Sequence, residues 1–503
     1  MTEAANLILT NAEVRTIAGE TAAAVAVADG RIRRVDSADE VAFLEGVDTE
    51  VIDLDGRVLV PGFVDAHTHM AVLGRQQAEA DLSDAGSAAG CLDVLAAHAA
   101  EADGWVLGFG YDESQWGGEY LTRDQLDAVS EQRPVVAYRA DLHLASVNSV
   151  VLDRYGEDFP DEDVHREGGE PTGVLVEEAL SVLREQTKPD RETMREHLLA
   201  AQEYAHRHGV TAVHDMVRQS HAPRVYRDLD AAGELTLRVR LNYWADHLDA
   251  VLETGLRPDH GSDRVQMGAI KTFADGSLGG RTARLSEPYA DAADERGEWV
   301  TDPEELTALI ERVDEAGLQM ATHAIGDAAV DQVVTAYEGT DGERHRVEHA
   351  EILTDDLIER LSSGMIVSAQ PNFLKWARPD GLYDQRLGEQ RSRDSNRFRD
   401  LLDAGARLAF GSDGMPLSPL FGIEQVVTAP APAQQLDARE AVRAYTAGGA
   451  YAAFDEDELG TIEPGKRGDF VALSGSPPTT VRSTSTSPTG VSNGEVVYDG
   501  RSG

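Results

Sequence analysis

Val60-Pro61-Gly62-Phe63-Val64-Asp65-Ala66-His67-Thr68-His69 decides how this chain is read. An apolar run closes on two histidines spaced i, i+2. In a strand that spacing turns both rings to one face, with Cα atoms about 6.5–7 Å apart. Both imidazoles then reach one metal ion at about 2.0–2.1 Å. A helix would set the same positions about 200° apart and separate them. A bare His-x-His is more often a pair of surface histidines at a strand end, so the motif needs support from the rest of the chain.

At 503 residues the chain is too long for one simple core and predicts two or more domains, one of them large. It carries 90 Asp+Glu against 45 Lys+Arg, a formal net charge of −45. That charge excludes the basic face a nucleic acid needs and excludes binding to anionic membranes. With 41% hydrophobic residues and recurring apolar periodicity, it is no disordered acidic chain. The carboxylates are dispersed, as in Asp112-Glu113, Asp161-Glu162-Asp163 and Asp455-Glu456-Asp457-Glu458. Lysine is confined to Lys188, Lys271, Lys375 and Lys466. Together these predict a solvated, salt-adapted (halophilic) surface, and a lysine kept in an apolar stretch of such a chain needs a reason. The only cysteine, Cys91, rules out an intrachain disulfide and a thiolate metal cluster, fits a reducing cytoplasm, and reads as a small buried hydrophobe. Met1-Thr2-Glu3-Ala4-Ala5 lacks the basic start of a signal peptide. No apolar run reaches the ~18–20 residues of a membrane span, so a cytoplasmic location is expected.

Residues 1–59 read as short strands with turns such as Asp29-Gly30 and Asp55-Gly56. Asp469-Phe470-Val471-Ala472-Leu473 and Gly494-Glu495-Val496-Val497-Tyr498-Asp499-Gly500 repeat the pattern. Neither end can bury a core alone, so residues 1–59 and 451–503 are expected to form one composite β-sandwich domain. Residues 483–488, rich in Ser and Thr, read as a solvated loop. Residues 60–450 alternate apolar runs with helical stretches. Candidate strands end at His67, Met216, Tyr243, Phe273, Ala324, Ala350, Gln370 and Ser412, which predicts an α/β fold, a (β/α)8 TIM-like barrel. The interval from about 72 to 190 is too long for a βα connection and predicts a subdomain inserted over the barrel mouth.

Four further positions carry chemistry. Lys271 lies in Gln266-Met267-Gly268-Ala269-Ile270-Lys271-Thr272-Phe273, and His323 in Leu318-Gln319-Met320-Ala321-Thr322-His323. His349 closes Arg346-Val347-Glu348-His349, and Asp413 closes Leu408-Ala409-Phe410-Gly411-Ser412-Asp413. Alone, each histidine is more often a core or loop residue, and Asp413 has the alternative of a helix N-cap. All of them fall at the C-terminal ends of separate candidate strands, where barrel enzymes place their active sites, and this predicts a joint metal site. Lys271 has the alternative of snorkelling to the surface or pairing with Asp275. The site would then be mononuclear, with the same histidines and Asp413.

These blocks make the chain resemble the amidohydrolase superfamily over nearly its whole length, in particular its YtcJ-like branch, the amidohydrolase family 3 type. Residues 61–69 match the first-strand signature. Ile270-Lys271-Thr272-Phe273-Ala274-Asp275-Gly276-Ser277-Leu278-Gly279-Gly280-Arg281-Thr282-Ala283 resembles the branch's most distinctive block. His323-Ala324-Ile325-Gly326-Asp327, Val347-Glu348-His349 and Gly411-Ser412-Asp413 follow in the family's order, and residues 459–470 resemble the return to the β domain. The resemblance implies that His67 and His69 hold one ion and that His323 and His349 hold the other. Lys271, carboxylated by CO2, would bridge two metals about 3.5–4 Å apart. Asp413 would contact the metal and take a proton from the activated water. One or two divalent ions per chain are expected, zinc first among zinc, iron and manganese.

The implied activity is hydrolysis of a carbon–nitrogen bond other than a peptide bond, in an amide. A mononuclear deaminase releasing ammonia is the nearest rival, though it has no need of a bridging lysine. A non-catalytic barrel used as an interaction module is a rival of another class, though such relatives typically lose ligands that are all filled here. Tyr111 and His143 sit where the branch's insertion faces the pocket, with substrate contact and packing equally open. Arg281 is a candidate for a substrate carboxylate or a structural salt bridge, and Gln370, with Pro371, Asn372, Phe373 and Trp376, a candidate pocket lining. His206 and His208 close a helix before Gly209, where cations favour the dipole, and read as structural. His214 reads as a neighbour of the ligands. The partner expected is a small-molecule substrate, with a homodimer left open.

Overall fold

Eight parallel strands make the central sheet of the computed structural model, which describes residues 4–101, 104–139, 144–475 and 489–499. They are β1 Phe63–Thr68, β2 Val210–Val217, β3 Arg238–Trp244, β4 Val265–Phe273, β5 Met320–Ala324, β6 Arg346–His349, β7 Ile366–Ala369 and β8 Arg407–Phe410. Each pairs in parallel with its sequence neighbour. Each ends within two residues of its expected end. Every residue of β1 and β2 is buried, as befits parallel strands covered on both faces. The seam between β8 and β1 is drawn together beyond the strands: Ser412 N donates to Asp65 Oδ1 at 3.0 Å and Asp413 N to His67 O at 2.7 Å. Gly411 permits that approach, since a Cβ there would lie 2.4 Å from His67 N. Outer helices bury one face each. Pro303–Glu315, N-capped by Asp302, turns Leu306, Ile310 and Val313 inward.

The chain's two ends meet in a second β structure. Val58–Pro61 pairs antiparallel with Phe470–Leu473, placing early and late strands in one six-stranded sheet. A four-stranded sheet of Arg31–Asp36, Ala24–Ala28, Leu7–Thr10 and Glu50–Asp53 packs against it. Leu7, Leu9, Val25 and Val27 share a core there with Val14, Leu59 and Phe470. Residues 483–488 and His143 lie outside the described residues.

Ala71–Ala201 forms a separate compact unit, while Met1–Met70 and Gln202–Gly503 form the other. The insertion has its own six-stranded sheet, with Val135–Arg139 between Leu144–Val147 and Val106–Tyr111, and its own apolar clusters. Cys91 is buried in one of them, and burial pushes its thiol up to about 11, so it is inert. Among the described residues no helix is long and apolar enough to cross a membrane.

Candidate metal centre

The C-terminal ends of five barrel strands deliver the six residues singled out above: β1 His67 and His69, β4 Lys271, β5 His323, β6 His349, and the turn after β8 Asp413. One ligand atom each from His67, His349 and Asp413 lies within 4.8 Å of the others. His69 joins through Asp413, its Nε2 3.1 Å from Oδ1, an oxygen that also stands 3.7 Å from His67 Nε2. His323 meets His349 edge-on, with ring centroids 4.4 Å apart. His349, Ala350 and Asp413 all hold left-handed backbone, φ 72°, 49° and 53°. Each such residue costs on the order of 1–3 kcal/mol and persists where surrounding contacts enforce it, as at functional sites.

Hydrogen bonds set how the rings face. His67 Nδ1 stands 2.6 Å from Glu348 Oε2, and His349 Nδ1 stands 2.7 Å from Gln370 Oε1. Carboxylate and amide oxygens only accept, so both Nδ1 atoms carry the proton and both Nε2 atoms present lone pairs. His323 Nε2 donates to Gly276 O at 2.9 Å, leaving Nδ1 as its free donor atom. Burial holds His67, His323 and His349 well below the usual histidine range, helped for His67 by the Lys271 charge and for His323 by His349. They are therefore neutral, the state a metal ligand requires. Burial pushes Asp413 up, but the His69 hydrogen bond and the His67, His69 and Lys271 charges outweigh it and hold the carboxyl below its usual range.

Lys271 is fully buried, and among the described residues its Nζ has no hydrogen-bond partner. Nζ lies over the face of Phe273, 4.6 Å from the ring centroid. Burial lowers its pKa to about 8. Neither alternative for this residue holds. It does not reach the surface, and Asp275 is occupied by the backbone N–H groups of Ile325, Gly326 and Arg284. Asp275 instead ties the segments after β4 and β5 together.

A buried charge network behind the rings had not been singled out. Arg346, 1% exposed, gives Nε to Glu348 Oε1 at 2.7 Å and Nη2 to Ala66 O and Ser368 Oγ at 2.6 and 3.1 Å. Its Nη1 donates to His214 Nδ1 at 2.9 Å. Glu348 is thus braced on one side and orients His67 on the other. The available signal was Arg346-Val347-Glu348, two charges at i, i+2 on the inward face of a buried strand.

The weaker candidates divide. Tyr111 is not a pocket residue. It is wholly buried in the insertion's core with its hydroxyl 3.0 Å from Ser146 Oγ, because its strand's inward face packs there. Gln370 is also buried, and its amide is committed to His349 rather than presented to a ligand. Arg281 forms the structural salt bridge, with Nε and Nη2 3.0 and 2.8 Å from Asp291. His206 bonds Val210 O and Thr236 Oγ1, and burial takes its pKa down to about 4, so it is no cation for the helix end.

The donors fit a divalent cation on their chemistry. Neutral imidazole nitrogens and an ionised carboxylate converge, beside a buried amine that makes no hydrogen bond among the described residues. Known proteins agree. The profile described as the amidohydrolase family matches residues 50–498. The chain is 33% identical to the Bacillus subtilis protein carrying the name amidohydrolase YtcJ, across 96% of this chain and 97% of that one. It is 28% identical to an N-substituted formamide deformylase of Arthrobacter pascens, across 95% of each chain. An uncharacterized metal-dependent hydrolase from Pyrococcus furiosus superposes with a TM-score of 0.83 at 30% identity, covering 94% of this chain and 99% of that one.

Proposed function

The chain belongs to the amidohydrolase family, metal-dependent hydrolases of carbon–nitrogen bonds, and from that premise we propose that it opens an amide at this centre. In this proposal His67, His69, His323, His349 and Asp413 would hold the one or two divalent ions, and Lys271, carboxylated by CO2, would supply an anionic oxygen ligand. The observation that carries the proposal is the convergence of His67, His349 and Asp413 beside a buried lysine that makes no hydrogen bond among the described residues. The likeness to a formamide deformylase supports an amide as the bond attacked.

A divalent ion bound there, with zinc the first expectation, supplies a Lewis acid for the carbonyl and lowers the pKa of a water toward 7. The protein's own groups do the rest. Asp413, ionised and oriented by His69, accepts the proton of the attacking water and passes it to the leaving nitrogen. Lys271, with a pKa of about 8, is neutral in a useful fraction near that pH. Its lone pair forms an N–C bond with CO2 and releases one proton, so an anionic oxygen donor replaces an ammonium.

Metal analysis of the full chain tests this directly. Two ions per chain and carbamate density at Nζ are expected; one ion with an unmodified amine refutes the bridged form. Lys271→Ala should lose most metal and activity, with partial recovery in bicarbonate or short carboxylic acids. The metal-loaded protein should hydrolyse members of a panel of N-formyl, N-acyl and cyclic amides in high salt. Ammonia released from ring amidines alone would make it a deaminase.

We also propose a cytoplasmic, salt-adapted protein acting on a small molecule. With 90 carboxylates, self-repulsion should weaken the fold in dilute buffer, where the screening length is ~30 Å at 0.01 M against ~3 Å at 1 M. A Tm that does not rise between those conditions removes the halophilic element. Sedimentation decides whether it is a homodimer.

A further inference from the structure

A cavity of about 300 Å³ lies at the N-terminal end of the barrel, against the segment that returns to the β structure. Four arginines line it, and three of them are closed by carboxylates. Arg238 meets Asp469 at 2.6 Å, Arg240 meets Asp259 at 2.7 Å, and Arg467 meets Glu458 and Asp263 at 2.7 and 3.0 Å. The fourth, Arg264, makes no ion pair among the described residues. Its Nη1 donates to Thr236 O and, at 2.8 Å, to Ser492 Oγ. Its Nε and Nη2 make no hydrogen bond among the described residues. Arg264 is half-buried, and burial, with the Arg238 charge, holds its pKa below the usual guanidinium range. A cation so placed is one that a counter-ion relieves.

The open side of Arg264 indicates the class of ligand. The Nε–Nη2 edge of a guanidinium receives two oxygens at once, those of a carboxylate or of a phosphate. Asp263, Asp455 and Glu458 also line the cavity, but each is already committed to Arg467, Arg240 or Arg31. His214 lines the same cavity and connects it with the metal centre. Its Nδ1 accepts from Arg346 at 2.9 Å, Arg346 donates to Glu348 at 2.7 Å, and Glu348 accepts from His67 Nδ1 at 2.6 Å. An anion in the cavity offsets the Arg346 charge and leaves Glu348 a stronger acceptor. His67 Nε2 then becomes a stronger donor to a metal.

We propose that this cavity binds one small oxyanion, a carboxylate or a phosphate, on Arg264, and that the bound anion tightens metal binding at the opposite end of the barrel. The second half rests on the metal-centre reading above; the first does not.

The metal-free full chain is titrated calorimetrically with inorganic phosphate and with acetate, sodium chloride holding the ionic strength constant. One saturable site per chain is expected, and the tighter of the two ligands identifies the oxyanion as tetrahedral or planar. Arg264→Met should weaken it by about tenfold or more, the scale of a charge-assisted hydrogen bond. Arg264→Lys keeps the charge, loses the fork and should fall between, which guards against a fold lost in the first variant. Chelator competition then reads zinc affinity with and without the tighter anion. About fivefold tighter zinc is expected, and by linkage zinc should tighten the anion by the same factor. The effect should vanish in Arg264→Met, which separates it from an anion bound directly to the metal. His214→Phe should keep the site and lose the coupling. Absence of saturable binding, or binding indifferent to both Arg264 variants, overturns the site. Binding that leaves zinc affinity unchanged, or coupling that survives His214→Phe, overturns the connection. If the chain binds the anion but no metal, the site stands and the metal-centre reading falls.

Discussion

At the N-terminal end of the barrel, Arg238 meets Asp469 at 2.6 Å and Arg240 is shared by Asp259 and Asp455 at 2.7 and 2.8 Å. At the C-terminal end Lys271 is at least as deeply buried, and among the described residues its Nζ makes no hydrogen bond. Both ends belong to one sheet. A buried ion pair hydrogen-bonded on all sides is a closed structural unit that loses stability if either half is removed. A buried amine without a partner, among neutral histidines and a carboxylate held ionised, is what a fold tolerates where something else binds. The contrast separates structural charge from functional charge without reference to any relative.

The largest effect should come from the proton carrier. Asp413→Asn preserves size and one oxygen donor but cannot accept a proton, so kcat should fall by roughly 10²–10⁴ while metal content stays near wild type. Near-full activity with metal in place would assign the proton transfer to another group. Replacing His67 or His349 by Ala should lower metal content and turnover together, which distinguishes holding the ion from moving the proton.

Stability should divide the two ends next. Arg238→Met leaves Asp469, 4% exposed in its side chain, buried without its guanidinium partner, and should cost about 3–5 kcal/mol in denaturant unfolding. Lys271→Met removes a buried charge that makes no hydrogen bond among the described residues and keeps the volume. The metal-free variant should therefore unfold at the same or a higher denaturant concentration than metal-free wild type, although it is inactive. Equal losses at the two ends would erase the distinction.

The network behind the rings supplies a smaller, graded test. Glu348→Gln keeps an oxygen near His67 Nδ1 but loses the charge that Arg346 braces, and the affinity for the metal should drop about 10–100-fold. Chelator competition reads this without any assay of turnover. An unchanged affinity would mean that His67 is oriented by packing alone.

These residues also show what a sequence discloses. The strands carrying His67, Lys271, His323 and His349 were legible because parallel strands buried on both faces read as apolar runs, and a polar residue at the end of one stands out. The pairing of Val58–Pro61 with Phe470–Leu473 was legible because neither end could bury a core by itself. Glu348 was quoted within a motif, yet its partner His67 lies 281 residues away, and no local pattern reports such a contact. Tyr111 was left open between substrate contact and packing for the opposite reason. Strand alternation shows that a side chain turns inward but not whether it meets a core or a pocket.

The smallest effect concerns the protonation of Lys271 itself. Its folded pKa of about 8 lies below the ordinary 10.5 because burial disfavours the ammonium. Between those values the unfolded chain binds the extra proton, so this group makes stability rise with pH across that window and contributes no slope well below it. Metal-free wild type should therefore gain on metal-free Lys271→Met by on the order of 1 kcal/mol between pH 7.5 and 9. Using the difference between the two proteins cancels the other titrating groups, including the exposed carboxylates, which are fully ionised throughout. A difference that does not change with pH would mean that Nζ is already satisfied, by carboxylation or by a partner. The C-terminal end of the barrel would then be as closed as the arginine pairs at the other.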